Sequence, residues 1–471
     1  MMTSTQQFGP HFLWGSATAA YQIEGATGAD GRTDCIWDAF ARVPGAVWHG
    51  QDGSVACDHY HRYAEDVDLM SQLNLGAYRF SVSWARVCPD GGPVNRAGLD
   101  FYSRLVDALL DKDILPWLTL YHWDLPQTLE DAGGWPSRDT AYRFASYAAS
   151  VHDVLGDRVK HWTTLNEPWC SAFLGYGNGH QAPGRTDGSA AIAAGHHLML
   201  AHGLGVQELR SRDADLQLGL TLNFTDIQPA DPDSPGDRDA ARRVDGLANR
   251  FFVEPIIKGA YPPDVRGDLD PLWPEGLVHD GDLDVISTPI DVLGVNYYFG
   301  TAVTGANPAD APAAATAARA EHPSANPGSE HVDVVSRGLP VTDMGWEVLP
   351  DALRTLLLRL HNDYTGPAGV ELYVTENGAA YADQPDQDGY VDDQDRIAYI
   401  RSHLGAVHEA IEQGANVRGY FLWSLLDNYE WAFGYSKRFG MVRVDYETSR
   451  RIPKASATWF SWIAANGEIP R

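Results

Sequence analysis

The chain has 471 residues, 44% of them hydrophobic, and a formal net charge of −28 at pH 7. That apolar share suffices for a large buried core and excludes a disordered chain, while the lack of any run of about 20 apolar residues predicts no membrane-spanning helix. The acidic balance works against binding to nucleic acid, anionic membranes and polyanionic substrates. The first residues show no basic stretch followed by an apolar run, the pattern of a secretory signal. Four cysteines, Cys35, Cys57, Cys88 and Cys170, have no CxxC spacing. Reduced thiols in a cytoplasmic protein are therefore expected, not a disulfide framework or a zinc site.

Short apolar runs recur along the chain at 12–16, 77–82, 115–121, 161–165, 216–222, 291–297, 371–375 and 417–423. Each is apolar on both faces, as a buried parallel strand requires. Between them, helical spacing is read over 58–75, 138–155, 190–210, 239–259, 350–361 and 393–413, and a last helix over 453–464. Eight strands alternating with helices predict the α/β class and a single (β/α)8 TIM barrel over residues 1–471. The competing doubly wound sheet usually brings a phosphate loop, and neither GxGxxG nor a Walker sequence occurs. Segments 229–239 and 305–337 read as loops. The second, an Ala- and Pro-rich insertion of low complexity, follows the sixth strand.

In a barrel enzyme the working side chains stand at the C-terminal ends of the strands. Those ends are polar and aromatic here. The first strand leads to Gln22, the second carries Arg79, the third runs into His122 and Trp123, and the fourth into Asn166 and Glu167. The sixth ends at Asn296 and Tyr298, the seventh at Glu376, and the eighth at Trp423, with Glu430 and Trp431 in the loop beyond. This set holds no three-ligand metal cluster and no Ser-His pair, and no cofactor is implied. Carboxylates, amides and indoles together suit a sugar, whose C–H face lies on aromatic rings while its hydroxyls meet polar groups.

The segments TLNEP around Glu167 and YVTENG around Glu376 resemble the two signature segments of family 1 glycoside hydrolases, the β-glucosidase family. FLWGSATAAYQIEG, CDHYHRYAEDVDLM, YRFSVSW, LYHWDLP, GVNYY and DNYEWAFGYSKRFG are similar to the same family in the same order. The resemblance implies a (β/α)8 barrel and a retaining mechanism, with Glu167 as acid/base and Glu376 as nucleophile. Arg79, Asn296 and Tyr298 fall at supporting positions. Gln22, His122, Trp123, Asn166, Trp423, Glu430 and Trp431 would line the sugar pocket, Phe439 its floor and Trp346 its leaving-group side. The implied partners are small β-glucosides or short oligosaccharides, with β-galactosidase or β-fucosidase side activity.

Retention needs two carboxyl groups about 5–5.5 Å apart that differ in protonation at one pH. Arg79 and Tyr298 would favour the charged form of Glu376, and that charge would favour a protonated Glu167. Two other readings stand beside this one. Family members acting on 6-phospho-β-glucosides carry Ser, Lys and Tyr where this chain has Glu430, Lys437 and Phe439, so Lys437 alone fits them. A sugar-binding barrel without catalysis would have lost one of the two glutamates.

Overall fold

Eight parallel strands close into a barrel in the computed structural model, which describes residues 6–305 and 323–470. They are β1 (Leu13–Ala17), β2 (Ala77–Ser81), β3 (Leu115–Tyr121), β4 (His161–Asn166), β5 (Gln217–Asn223), β6 (Val292–Asn296), β7 (Glu371–Asn377) and β8 (Val417–Trp423). Neighbours in sequence pair in space, and β8 closes the ring on β1 with Gly419 opposite Leu13 and Trp423 opposite Ala17. The α/β class and the barrel expected from the sequence are therefore what the chain forms, with each strand within two residues of its apolar run.

The barrel interior is filled, not hollow. Trp117 of β3 lies edge-on to Tyr373 of β7, with ring centroids 4.9 Å apart, and to Phe421 of β8 at 5.3 Å. Rings of this size fit because small residues face them. A Cβ at Gly15 would come within 2.6 Å of Phe421, and one at Gly419 within 2.8 Å of Tyr373. Large beside small within a layer is how a barrel of eight strands fills its core. The aromatic plug makes the floor on which the strand-end residues stand.

Most helices fall where the apolar period placed them: His59–Gln72, Arg138–Leu155, Gly188–Arg212, Pro350–Leu360, Gln394–Glu412 and Ala455–Asn466. The helix Arg96–Leu110 between β2 and β3 was not among the expected ones, although Leu99, Tyr102, Val106 and Leu109 form its buried face. It opens just after Gly91-Gly92-Pro93 and carries Gly98 in its first turn, residues that argue against a helix when read locally. Tertiary packing sets that glycine, because a Cβ there would lie 2.3 Å from the Arg86 carbonyl oxygen.

Two further expectations are corrected. The segment 229–239 is not all loop: Ser234 accepts a hydrogen bond from the Asp237 amide and caps a helix, Pro235–Asp245. The helix expected over 239–259 is broken by a π turn, Gly246–Arg250, before resuming as Phe251–Lys258. That turn aims Asn249 at the backbone of Thr225, with bonds of 2.8 Å and 3.2 Å, and so pins the loop after β5. Within 305–337, residues 306–322 lie outside the described residues. The remainder holds a strand, Val332–Val335, antiparallel to Gly300–Gly305. Among the described residues no helix is long and apolar enough to cross a membrane.

Below the long loop after β8 sits a buried charge cluster. Lys454, with no solvent exposure, donates to Asp427 at 2.8 Å and to Asp383. Arg438 donates to the other oxygen of Asp427 at 2.6 Å, and Arg396 reaches Asp383 and Asp393. Asp427 also accepts the Gly440 amide, so the cluster fixes both ends of the loop. Removing one partner of a buried ion pair costs about 3–5 kcal/mol, because the other charge is left desolvated. Lys454→Met should therefore lower unfolding stability by that amount in denaturant titration, and adding Asp427→Leu should recover part of the loss. An unchanged midpoint in Lys454→Met would show that the cluster adds no net stability.

Candidate active site

Both glutamates stand on strand ends that meet across the barrel mouth. Glu376 lies within β7 with Asn296 of β6 as its register partner. Glu167 follows the last residue of β4, and its amide donates to the Thr221 carbonyl of β5 at 2.9 Å. Both are buried, and both line one cavity of about 360 Å³. The same cavity is lined by His122, Trp123, Asn296, Tyr298, Trp346, Trp423, Glu430, Trp431 and Phe439. Gln22, Arg79 and Asn166 are fully buried behind this surface. All fourteen residues singled out in the sequence thus converge on one place. A larger hollow of about 730 Å³ beside Tyr261 and Trp273 gathers one carboxylate, Glu275, and none of the fourteen.

One hydrogen-bonded chain ties the two carboxyl groups together. Arg79 donates through Nη1 to Oε1 of Glu376 and through Nη2 to Oδ1 of Asn166, each at 2.6 Å. Asn296 donates through Nδ2 to Oε1 of Glu167 at 2.6 Å and lies 3.1 Å from the same Asn166 oxygen. Thr375 fixes the Asn296 amide by donating to its Oδ1 at 2.8 Å. Tyr298 donates its hydroxyl to Oε2 of Glu376 at 2.7 Å.

The chain also sets a tautomer. The Asn166 oxygen is occupied by donors, so its Nδ2 is left facing His122 Nε2 at 3.1 Å. Nε2 must then accept, which puts the imidazole proton on Nδ1. Burial, followed by the Arg79 charge, holds His122 well below the usual histidine range, so the ring is neutral.

The carboxyl groups have different surroundings. Glu167 is pushed up to about 7, first by burial and then by the nearby charge of Glu376, against hydrogen bonds from Asn296 and Cys170. Glu376 is raised too, by burial, but the Arg79 guanidinium and the Tyr298 hydroxyl oppose this. The partners decide how a shared negative charge divides: it rests on Glu376, beside the cation, and Glu167 keeps the proton. Glu430 is pushed up to about 8 by burial and by both other glutamates.

Aromatic rings form two walls. Trp123 and Trp431 pack at 4.5 Å, and His122 lies parallel to Trp423 and to Trp431 at 5.9 Å. Opposite, Trp346 packs on Tyr298 at 5.5 Å and on Phe299 at 5.0 Å, with Phe439 beneath. Trp123, Glu167 and Trp431 all hold positive φ angles, 77°, 47° and 49°, which non-glycine residues adopt at a cost of about 1–3 kcal/mol. Around this cavity the side-chain atoms Gln22 Oε1, Glu430 Oε2 and His122 Nδ1 are buried without a protein partner. Each such atom costs about 1–3 kcal/mol unless a ligand or solvent satisfies it. Two acceptors and one donor between aromatic walls match a hydroxylated ring.

The cavity has further lining that sequence reasoning missed. Trp169 and Cys170 follow Glu167 directly, and Cys170 Sγ lies 3.1 Å from Glu167 Oε2. Asn223, Phe224 and Thr225 extend β5, Met344 precedes Trp346, and Phe433 stands in the loop after β8. Adjacency to a strand-end glutamate was an available signal for Trp169 and Cys170. Lys437, at the position that phosphorylated-substrate enzymes share, donates to the carbonyl and carboxylate of Asp343 at 2.7 Å and 3.1 Å.

Comparison with known proteins agrees over the whole length. The sequence profile described as glycosyl hydrolase family 1 matches residues 4–469. The chain is 53% identical to a thermostable β-glucosidase B of Thermobispora bispora, over 95% of this chain and 89% of that protein. It is 48% identical to a bifunctional β-D-glucosidase/β-D-fucosidase of Bifidobacterium breve, over 98% and 99% of the two chains. A solved structure of a psychrophilic β-glucosidase from Micrococcus antarcticus superposes with a TM-score of 0.93 at 53% identity, covering 98% of each chain.

The Tyr298 bond can be tested by titration alone. A hydroxyl donated to a carboxylate favours its charged form, so Tyr298→Phe should raise the pKa of Glu376. Carboxyl carbon NMR should record an upward move of about one to two pH units, the worth of one hydrogen bond to a charged group. An unmoved or lowered value would show that the phenol does not hold the charge.

Proposed function

Because the chain belongs to glycosyl hydrolase family 1, we propose that it is a retaining β-glucosidase in which Glu376 attacks the anomeric carbon and Glu167 protonates the departing oxygen. The observation that carries this reading is the unequal pair: Glu376 clamped by Arg79 and Tyr298, and Glu167 held by a neutral amide and raised to about 7.

In the first step the Glu376 carboxylate displaces the aglycone and forms a glycosyl ester, while Glu167 passes its proton to the leaving oxygen. Esterification removes the negative charge that raised Glu167. The acid then releases its proton more readily and can take one from water as that water attacks the ester. Asn166, turned by Arg79 and Asn296, supports a contact at the 2-hydroxyl. Gln22 and Glu430, each with an unpartnered oxygen, suit the hydroxyls at the far end of the ring. Trp423 and Trp431 offer faces to its C–H surface.

Several observations favour a plain glycoside over a 6-phosphorylated one. Glu430 offers no positive charge to a phosphate dianion, and Lys437 is already engaged by Asp343. Substrates are therefore small β-glucosides and short β-linked oligosaccharides, with β-fucosides and β-galactosides as secondary substrates. The four buried, unpaired cysteines support a cytoplasmic location.

Glu376→Gln should lower turnover by about three orders of magnitude or more with the fold retained; near-normal activity of the purified variant would remove Glu376 from the nucleophile role. Glu167→Ala should spare formation of the glycosyl ester from dinitrophenyl β-glucoside, whose leaving group needs no acid, and abolish cleavage of alkyl β-glucosides. Equal losses on the two would count against Glu167 as the acid. A higher kcat/KM on 6-phospho-β-glucosides than on plain ones would overturn the substrate class.

A further inference from the structure

The two oxygens of Glu167 are not equivalent. Oε1 accepts the Asn296 amide hydrogen at 2.6 Å, and an amide nitrogen can only donate. A carbonyl oxygen accepts that hydrogen better than a hydroxyl oxygen does, so the bond favours the acid proton on Oε2. What faces Oε2 is the thiol of Cys170 at 3.1 Å. Cys170 opens the π turn Cys170–Gly177, and its amide donates to the Glu167 carbonyl at 3.0 Å, so the backbone holds the sulfur in place. The residue is buried and lines the same cavity.

We propose that Cys170 is a positioning residue for the acid/base step, one that acts through Oε2 of Glu167 to control how firmly the acid holds its proton. The proposal rests on Glu167 being the acid/base.

Sulfur suits this place because it donates and accepts weakly. When Glu167 is ionised, the S–H points at Oε2 and stabilises the carboxylate. When Glu167 is protonated, the thiol competes poorly for the proton, which remains free for the glycosidic oxygen. Burial and the Glu167 charge keep the thiol far above its ordinary range, so it stays an S–H donor throughout. The other groups facing Glu167 are Glu376 of β7, Arg79 of β2, Asn296 of β6, Tyr298 just past β6, and Glu430 beyond β8. None of these touches Oε2 in the structure, so Cys170 is the contact through which that oxygen can be altered alone.

The test is the pH profile of kcat/KM on an alkyl β-glucoside, whose alkaline limb follows loss of the acid proton. Cys170→Val fills the space without a donor and keeps water from replacing it. The limb should move to higher pH by about half to one unit, the worth of one weak hydrogen bond. Cys170→Ser supplies a stronger donor and should move the limb to lower pH. A limb that stays in place in Cys170→Val, or moves the same way in both variants, overturns the proposal. If Cys170→Val does not fold, Cys170→Ser decides: a downward move supports the role, and an unchanged or raised limb refutes it. Glu167→Ala, read on dinitrophenyl β-glucoside because the alkyl substrate needs the acid, separates the two readings, since an alkaline limb that survives there refutes Glu167 as the acid. A limb lost in Glu167→Ala but unmoved by Cys170 refutes only the thiol's part.

Discussion

Arg79 is a guanidinium with no solvent exposure, and its charge has to be answered inside the barrel. Burying an unpaired cation costs many kcal/mol, so every arrangement of the mouth must bring an anion and an acceptor to it. Glu376 supplies the anion and Asn166 the acceptor, each at 2.6 Å. The fork of the guanidinium fixes both directions at once. The orientation of the Asn166 amide then dictates the tautomer of His122, and its oxygen also meets Asn296, which holds Glu167. One buried cation on β2 thereby organises side chains from β4, β6 and β7 and the imidazole of His122 just past β3.

This dependence explains why the site is built on strands and not on loops. Five hydrogen bonds of 2.6–2.8 Å among seven residues at or just past strand ends leave little room for error. Parallel strands in a closed barrel hold their ends to the register of the ladder, which loops cannot do. The aromatic plug of Trp117, Tyr373 and Phe421 keeps that register from collapsing inward. The loop after β8 is the exception, because it carries Glu430 and Trp431. It is stiffened from below by Asp427 between Lys454 and Arg438.

The strands were legible in the sequence because a strand buried on both faces is an uninterrupted apolar run, and such runs punctuated by helices leave few topologies. The site residues were legible because a barrel places strand ends together whatever their distance in sequence. What escaped notice was decided by tertiary contact. Gly98 reads as a helix breaker, yet the Arg86 carbonyl leaves no room for a side chain there. The π turn at Gly246–Arg250 has no periodic signature, yet it places Asn249 against Thr225. Val332–Val335 is too short to stand out from its low-complexity surroundings and exists through pairing with Gly300–Gly305. Cys170 reads as a structural thiol until its distance to Glu167 is known.

Three carboxyl groups share this pocket, with the Arg79 cation bonded to one of them, and that imbalance bears on how a sugar is held. Glu430, pushed up to about 8 by burial and by the other two glutamates, holds a proton more firmly than an ordinary carboxyl does. A protonated carboxyl both donates and accepts, as a hydroxyl does, so it can pair with two neighbouring sugar hydroxyls without setting a second negative charge beside Glu376. In the proposed reaction, ester formation at Glu376 would weaken the field on Glu430 together with the field on Glu167. The far end of the sugar and the departing oxygen are thus linked through the same charge. Contacts of the proposed sugar with Glu430 would then tighten as the ester forms, which is the direction that favours the transition state over the bound substrate.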